Sequence, residues 1–247
     1  MRSLSEARGR IAVVPARGGS KRIPRKNVID FHGKPLITWP LEMLLSSGRF
    51  EAVIVSTDDA EIAAIAAATG PIVVVKRPEN LAGDDVPTAP VIVHAVEEFE
   101  KQHGSAVSRV TVLYPTSVFT TQNHLVRADE LLASSGARLV MSVGRYRSPI
   151  SRAWSRSASG LMQRLDPLSH LATSQSLSEA FFDAGQFYVS DRRAWEDWQS
   201  DPAMSVCGFV LPALEAIDID SPEDLEFARE AFGAREKLND EPDLCGG

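Results

Sequence analysis

The 247-residue sequence predicts an α/β fold, a mostly parallel sheet with helices on both faces. Two observations predict it. Short, wholly apolar runs of the kind buried on both faces of a sheet alternate with segments whose apolar residues recur at helical spacing. The links between them are short, and a βαβαβαβ succession with short links closes into a parallel sheet.

The elements follow in order. Ile11 to Val14 is the first strand, and Leu36 to Ser47 has helical periodicity with Pro40 in its first turn and Gly48 placed to end it. Ala52 to Ser56 is the second strand; Asp58 or Asp59 can cap a helix through Ala68, with Gly70 and Pro71 as its stop. Ile72 to Val75 is the third strand and Val91 to Lys101 an amphipathic helix. Arg109 to Tyr114 and Leu139 to Val143 read as strands, with a helix from Thr121 to Ser134 between them. From about 145 to 182 the regular alternation stops. That stretch is polar and rich in serine and arginine, yet Tyr146, Trp154, Leu161 and Leu165 need burial, so it is expected to be an inserted arm or lobe. Gly185 to Ser190 and Cys207 to Leu211 are late strands, and Pro222 to Phe232 is a closing helix capped by Ser221. A single domain over 10–233 is expected, with flexible ends at 1–9 and 234–247.

Composition excludes several classes. With 44% hydrophobic and 24% charged residues the chain has the make-up of a globular protein, and its net charge of -7 disfavours nucleic acid as a partner. No apolar run approaches the ~20 residues that span a membrane, and the N-terminus lacks the hydrophobic core of a signal peptide, so a cytoplasmic location is expected. Cys207 and Cys245 give neither a disulfide framework nor metal-ligand spacing.

Directly after the first strand comes ARGGSKRIPRKN, Ala16 to Asn27. Between Arg17 and Lys34 there are six Lys or Arg and one acid, Asp30. Gly18 and Gly19 let the backbone approach an anion closely, and Arg17, Lys21, Arg22, Arg25 and Lys26 supply the countercharge. A run of Lys and Arg alone is also the mark of a solvated loop. Its place after a strand, at the edge where open α/β sheets bind ligands, favours a polyphosphate site. The spacing is neither GxGxxG nor GxxxxGK[ST], which disfavours the dinucleotide and Walker loops.

The second signal is Ile217-Asp218-Ile219-Asp220-Ser221-Pro222. On extended backbone, residues two apart share a side, so Asp218 and Asp220 can present two carboxylates to one Mg²⁺. The alternative is that Asp220 or Ser221 only caps the final helix. After the third strand, Arg77 can contact a base or phosphate, whereas Asp84 and Asp85 read as turn or capping residues. Tyr114-Pro115-Thr116-Ser117 offers hydroxyls and amides for a ribose or sugar, though alone it reads as a turn. The five histidines are scattered, and no nucleophile elbow, Cys–His pairing or HExxH occurs. A phosphate loop and an Asp pair without a covalent nucleophile suit direct in-line attack on a nucleotide phosphorus.

These motifs resemble those of the CMP-sugar-acid synthetases, the acylneuraminate cytidylyltransferase family. IAVVPARGGSKRIPRKN, VSTDD, RPENLAGDD, YPTS and IDIDSPEDL match that pattern in order from Ile11 to Phe232, and TSQSLSEAFFDAGQFY is most similar to the pseudaminic acid cytidylyltransferases. The resemblance implies a three-layer Rossmann-like nucleotidyltransferase fold with an inserted dimerisation arm, and a homodimer. It implies CTP and a 2-keto-3-deoxy sugar acid as substrates, with the anomeric hydroxyl attacking the α-phosphorus and pyrophosphate leaving. Arg17, Gly18, Gly19, Ser20, Lys21, Asn27, Arg77 and Thr88 would bind the nucleotide, with Arg17, Lys21 and Asp220 catalytic. Asp218 and Asp220 would hold Mg²⁺, and Thr116, Ser117, Gln175, Gln186 and Tyr188 would face the sugar. Ala172-Thr173-Ser174-Gln175 and Glu179-Ala180-Phe181-Phe182-Asp183 depart from the pseudaminic pattern by the loss of an Arg, a Tyr hydroxyl and an imidazole, and polar contacts of that kind set discrimination between sugars. Legionaminic, neuraminic and KDO acceptors therefore stay open. So do two other classes: a catalytically silent nucleotide-binding protein, which intact Lys21, Asp218 and Asp220 oppose, and a dinucleotide oxidoreductase, which lacks its glycine spacing.

Overall fold

The structure, a computed structural model, describes residues 7–167 and 177–240, with side chains to residue 235. One seven-stranded sheet organises the chain. Its strands are β1 (Arg10–Pro15), β4 (Ala52–Thr57), β5 (Ile72–Lys76), β6 (Arg109–Leu113), β7 (Leu139–Arg145), β10 (Phe181–Asp191) and β11 (Val206–Val210), in the order β11-β7-β10-β6-β1-β4-β5. Six strands share one direction: β1 pairs parallel with β4 and β6, β4 with β5, and β11 with β7. Only β10 runs antiparallel, between β6 and β7. The mostly parallel sheet was expected from the apolar runs; the reversal of β10 was not.

Alternation along β1 shows how the layers form. Ala12 and Val14 point into one core and Ile11 and Val13 into the other, all four fully buried. Burying each of the larger ones contributes about 2 kcal/mol. The first core is closed by α1 (Thr38–Ser47), α2 (Ala60–Thr69) and α4 (Gln122–Ser135) through residues such as Leu41, Ile62 and Leu125. The second is closed by α3 (Thr88–His103) and the short α5 (Ala194–Asp197) through Ile92, Phe99 and Trp195. Helices thus cover both faces, giving three layers.

Capping follows the sequence. Asp59 accepts hydrogen bonds from the amides of Glu61 and Ile62 (2.8 and 3.0 Å), and Gly48 ends α1 in the left-handed region at φ 59°. Helix α3 begins at Thr88 rather than at Val91, because Pro90 is tolerated in a first turn. Strand β10 begins at Phe181, earlier than expected, and carries a register irregularity between Asp183 and Tyr188. The last helix, α6 (Pro222–Asp240), continues past Phe232. Ser221 caps it and Asp224 returns a bond to the Ser221 amide (2.7 Å), a reciprocal capping box. At the other end Gly9 donates to Glu51 (2.6 Å).

Two small pieces stand outside the main sheet. β2 (Asp30–Phe31) and β3 (Lys34–Pro35) form a tight hairpin whose turn, His32 and Gly33, has φ of 50° and 84°. The expected arm contains a hairpin of β8 (Trp154–Arg156) and β9 (Met162–Arg164). Its apolar side chains are open to solvent: Leu161 is 74% and Leu165 64% exposed. The expectation that they need burial is not met within one chain. A third apolar cluster packs Ile23, Phe31 and Leu36 against Phe119, Ile219, Leu225 and Phe232, which joins the first loop to α6 and the turn before it.

Candidate active site

The carboxyl ends of the parallel strands all open on one edge, and the antiparallel β10 delivers its N-terminal residues to the same edge. There lies a cleft of about 410 Å³ between the turns after β1 and β6, where the strand order reverses. Pro15, Arg17, Arg77, Thr88, Tyr114, Thr116, Asp183, Gly185, Tyr188, Asp218 and Asp220 are among the residues that line it.

The loop after β1 is held from beneath. The Asn27 side chain, 6% exposed, donates to the Arg17 carbonyl (2.8 Å), and the Ile37 amide donates to the Asn27 carbonyl (3.0 Å). The Gly18 amide donates to Asp58 (3.0 Å), and a Cβ on Gly18 would lie 2.5 Å from an Asp59 carboxylate oxygen, so this glycine permits the approach of α2's cap. Gly19 meets nothing within 4 Å and neither glycine has positive φ; the left-handed residue is Arg25 at φ 58°, which pairs with Asp59 (3.0 Å) and Glu61. Asn27 is therefore a strut of the loop, while Gly19 and Ser20 lie along its open stretch.

The loop's cations each meet a carboxylate. Arg17 and Lys21 both bind Asp84, which lines the cleft, and Arg22 (2.9 Å) and Lys26 (3.1 Å) both bind Asp220. Lys26 also donates to the Ile219 carbonyl (2.7 Å). The hydrogen bond and charge of Asp84 raise Lys21, and Lys21 then Arg17 lower Asp84. Asp84 is thus an ion-pair partner rather than a capping residue; α3 starts after Pro87. Sequence reading missed it because its partners lie more than sixty positions away.

Arg77, 6% exposed, donates to the Ser56 carbonyl (2.8 Å), while its Nε has no acceptor among the described residues. Burial lowers its pKa, opposed by Asp58. Thr88 shares a hydrogen bond with the Tyr114 hydroxyl (2.8 Å), and Tyr114 meets Tyr188 edge to face at 5.9 Å. The Tyr188 hydroxyl donates to Asp183. Burial raises both phenols, which keeps them neutral hydrogen-bonding groups.

Asp218 and Asp220 both face this cleft, while the capping of α6 is done by Ser221. Burial of its carboxyl and then the Asp220 charge push Asp218 up to about 6, against the opposing pull of Lys26. Asp218 accepts no hydrogen bond from a described residue. Its seat depends on Gly185, at φ 60°, because a Cβ there would lie 2.8 Å from the Asp218 carboxyl carbon.

Two residues expected at the sugar end are placed elsewhere. Gln186 is fully buried and donates to the Ile217 carbonyl (2.6 Å), and Ser117, also buried, donates to the Gln186 carbonyl. They brace the Asp218 segment from behind because a buried amide must find partners, and the nearest are main-chain carbonyls. Thr116 and Tyr188 do line the cleft; Gln175 lies outside the described residues. Asp183 and Gly185 were not anticipated as site residues, and Lys26, expected as a cation of the phosphate loop, meets Asp220. Gly185, before an apolar run, was the available signal.

Comparison with known proteins decides the family. A sequence profile described as "Cytidylyltransferase" matches residues 11–186. The chain belongs to the cytidylyltransferase family. It is a nucleotidyltransferase, as that family is. The chain is 37% identical over 221 residues to the pseudaminic acid cytidylyltransferase of Campylobacter jejuni, covering 89% of this chain and 94% of that one. It is 31% identical to the CMP-N,N'-diacetyllegionaminic acid synthase of Legionella pneumophila, over 87% and 92% of the two chains. Among solved structures, CMP:2-keto-3-deoxy-manno-octonic acid synthetase complexed with CTP superposes with a TM-score of 0.65 at 18% identity, covering 92% of this chain and 99% of that one; the likeness is one of fold. Among the described residues no helix is long and apolar enough to cross a membrane.

Proposed function

We propose that this cytidylyltransferase activates a nonulosonic acid, pseudaminic acid foremost, with CTP, working in the cytoplasm as a homodimer. The anomeric hydroxyl oxygen forms a bond to the α-phosphorus, the bond to the β-phosphate oxygen breaks, and pyrophosphate and the hydroxyl proton are released. One observation carries the reaction: Arg17 and Lys26 of the cationic loop and the Asp218–Asp220 turn, nearly two hundred residues apart in sequence, line a single cleft. The similarity to the Campylobacter jejuni enzyme supports the acceptor.

The lining residues divide the work. Arg17 and Lys21 turn from Asp84 to the phosphates, with the exposed Gly19 beside them, and Lys21 offsets charge on the transferred group. Arg77 and Thr88 hold the nucleotide against Tyr114, and Asn27 keeps the Arg17 carbonyl in place. Thr116 and Tyr188 meet the sugar acid.

Asp218 and Asp220 suit Mg²⁺. Two carboxylates crowd together, and one of them has no hydrogen-bond donor among the described residues, so a cation there relieves their repulsion. Among the described residues no group of three or more acid, His or Cys side chains is assembled, so water and phosphate oxygens would complete the coordination, as Mg²⁺ favours. When bound, the ion supplies neutralisation of phosphate charge.

Purified protein with CTP and Mg²⁺ is expected to release pyrophosphate only when a 2-keto-3-deoxy sugar acid is added. Silence across pseudaminic, legionaminic, neuraminic and KDO acceptors would overturn the reading.

A further inference from the structure

Asp84 divides its two carboxylate oxygens between two cations of the loop after β1: Oδ1 meets the Arg17 guanidinium and Oδ2 the Lys21 ammonium. A phosphate group offers two oxygens to a pair of cations in the same way. Asp84 also lines the cleft, together with Arg17, Arg77 and Thr88. A nucleotide phosphate brought to Arg17 and Lys21 would therefore meet a charge of its own sign already there, and one of the two anions must give way. Asp84 is built to be the one that moves. It belongs to the turn 82–87 between the short helix Glu79–Leu81 and α3, and Gly83, Asp84, Asp85 and Pro87 of that turn are exposed. Inside the turn the Val86 amide reaches the Gly83 carbonyl at a long 3.4 Å. The side chains of Asp84 and Lys21 are 33% and 81% exposed, and ion pairs this open are weak, as an exchangeable contact requires. The acids nearest the loop's glycines are committed differently: Asp59 caps α2, and Asp58 accepts from the Gly18 amide.

We propose that Asp84 is a tethered competitor of the nucleotide phosphates: it holds Arg17 and Lys21 until CTP displaces it, and its return to them after transfer helps to expel pyrophosphate. The proposal rests on the transferase reading and deepens it. A ligand that needs the two cations free binds more weakly in proportion to the fraction of molecules in which Asp84 holds them. Removing the competing charge therefore tightens binding, whereas removing a mere strut of the loop would loosen it. Asp85 supplies the control, since its charge also acts on Lys21 but it makes no ion pair among the described residues.

The test is calorimetric titration of CTP with Mg²⁺, and separately of inorganic pyrophosphate, into the wild type, Asp84→Asn and Asp85→Asn at about 0.15 M salt. Asp84→Asn is expected to bind both ligands about three- to tenfold more tightly and to suffer product inhibition by pyrophosphate at correspondingly lower concentration, with the KM for the sugar acid unchanged. Asp85→Asn is expected to change either affinity by less than about twofold, because salt screens an exposed charge that touches neither cation. Weaker or unchanged binding in Asp84→Asn overturns the proposal, and so does equal tightening in Asp85→Asn, which would reduce the effect to net charge. Either of those results leaves the transferase reading intact. A wild type and an Asp84→Asn variant that take up neither CTP nor pyrophosphate remove both.

Discussion

The loop after β1 and the arm between β7 and β10 are both rich in arginine, but the protein treats them in opposite ways. In the loop every cation from Arg17 to Lys26 has a carboxylate partner, and the backbone is pinned by Asn27, Asp58 and the buried Ile23. In the arm, Arg164 lies over the Trp154 ring at 4.2 Å and Leu161, Met162 and Leu165 stand in solvent. The loop is held in shape by its own chain, as a site that must present charges in a fixed pattern requires. Among the described residues the arm contributes none to the three buried apolar clusters. A second subunit is the natural cover for such a surface, and that is the role proposed for it.

Changes at the pinned side should therefore damage chemistry, and changes in the arm should damage assembly. The largest effect is expected for Asp220→Asn, which should lower turnover by on the order of 10² to 10³ while circular dichroism stays unchanged. Gly185→Ala comes next. Its Cβ would enter the Asp218 carboxyl, which should lower kcat by about 10², and the positive φ should cost about 1–2 kcal/mol in thermal or denaturant unfolding. Asn27→Ala removes the bond to the Arg17 carbonyl and should cost about 1–3 kcal/mol of stability, with the KM for CTP rising more than that for the acceptor. Leu161→Ser with Leu165→Ser should alter the stability of one chain by less than about 0.5 kcal/mol yet reduce the dimer fraction in light scattering. An unaltered dimer would assign the interface elsewhere.

The smallest effect is a change of pH slope. His124 stacks on Phe187, faces Phe209 and Glu215, and has Arg127 and Arg235 nearby; burial, the largest influence, lowers its pKa. The unfolded chain then binds the proton first. Stability is complete above the unfolded value of about 6.5 and is lost as pH falls from there through the folded one. Between pH 7 and 5, His124→Gln should lose less Tm than the wild type.

The same contrast explains what could be read from sequence. Strands and helices were legible because burial imposes a period, and the loop and Asp turn were legible because their charge is local. Direction is not periodic, so Gly185 to Ser190 gave no sign that β10 runs backwards and thereby brings Asp183 and Gly185 to the site. Ser117 and Gln186 were assigned to the sugar because a polar side chain has the same appearance in sequence whether it serves a ligand or a buried carbonyl. Asp84 was hidden by distance along the chain. The arm showed its apolar residues, but not that they face outward.

The most direct measurement is a competition: CTP, Mg²⁺ and equal amounts of pseudaminic, legionaminic and neuraminic acids and KDO, with the products identified by mass spectrometry. The proposed reaction predicts CMP-pseudaminate as the main product, accompanied by pyrophosphate. A main product of CMP-KDO, or no CMP-linked acid at all, would contradict it.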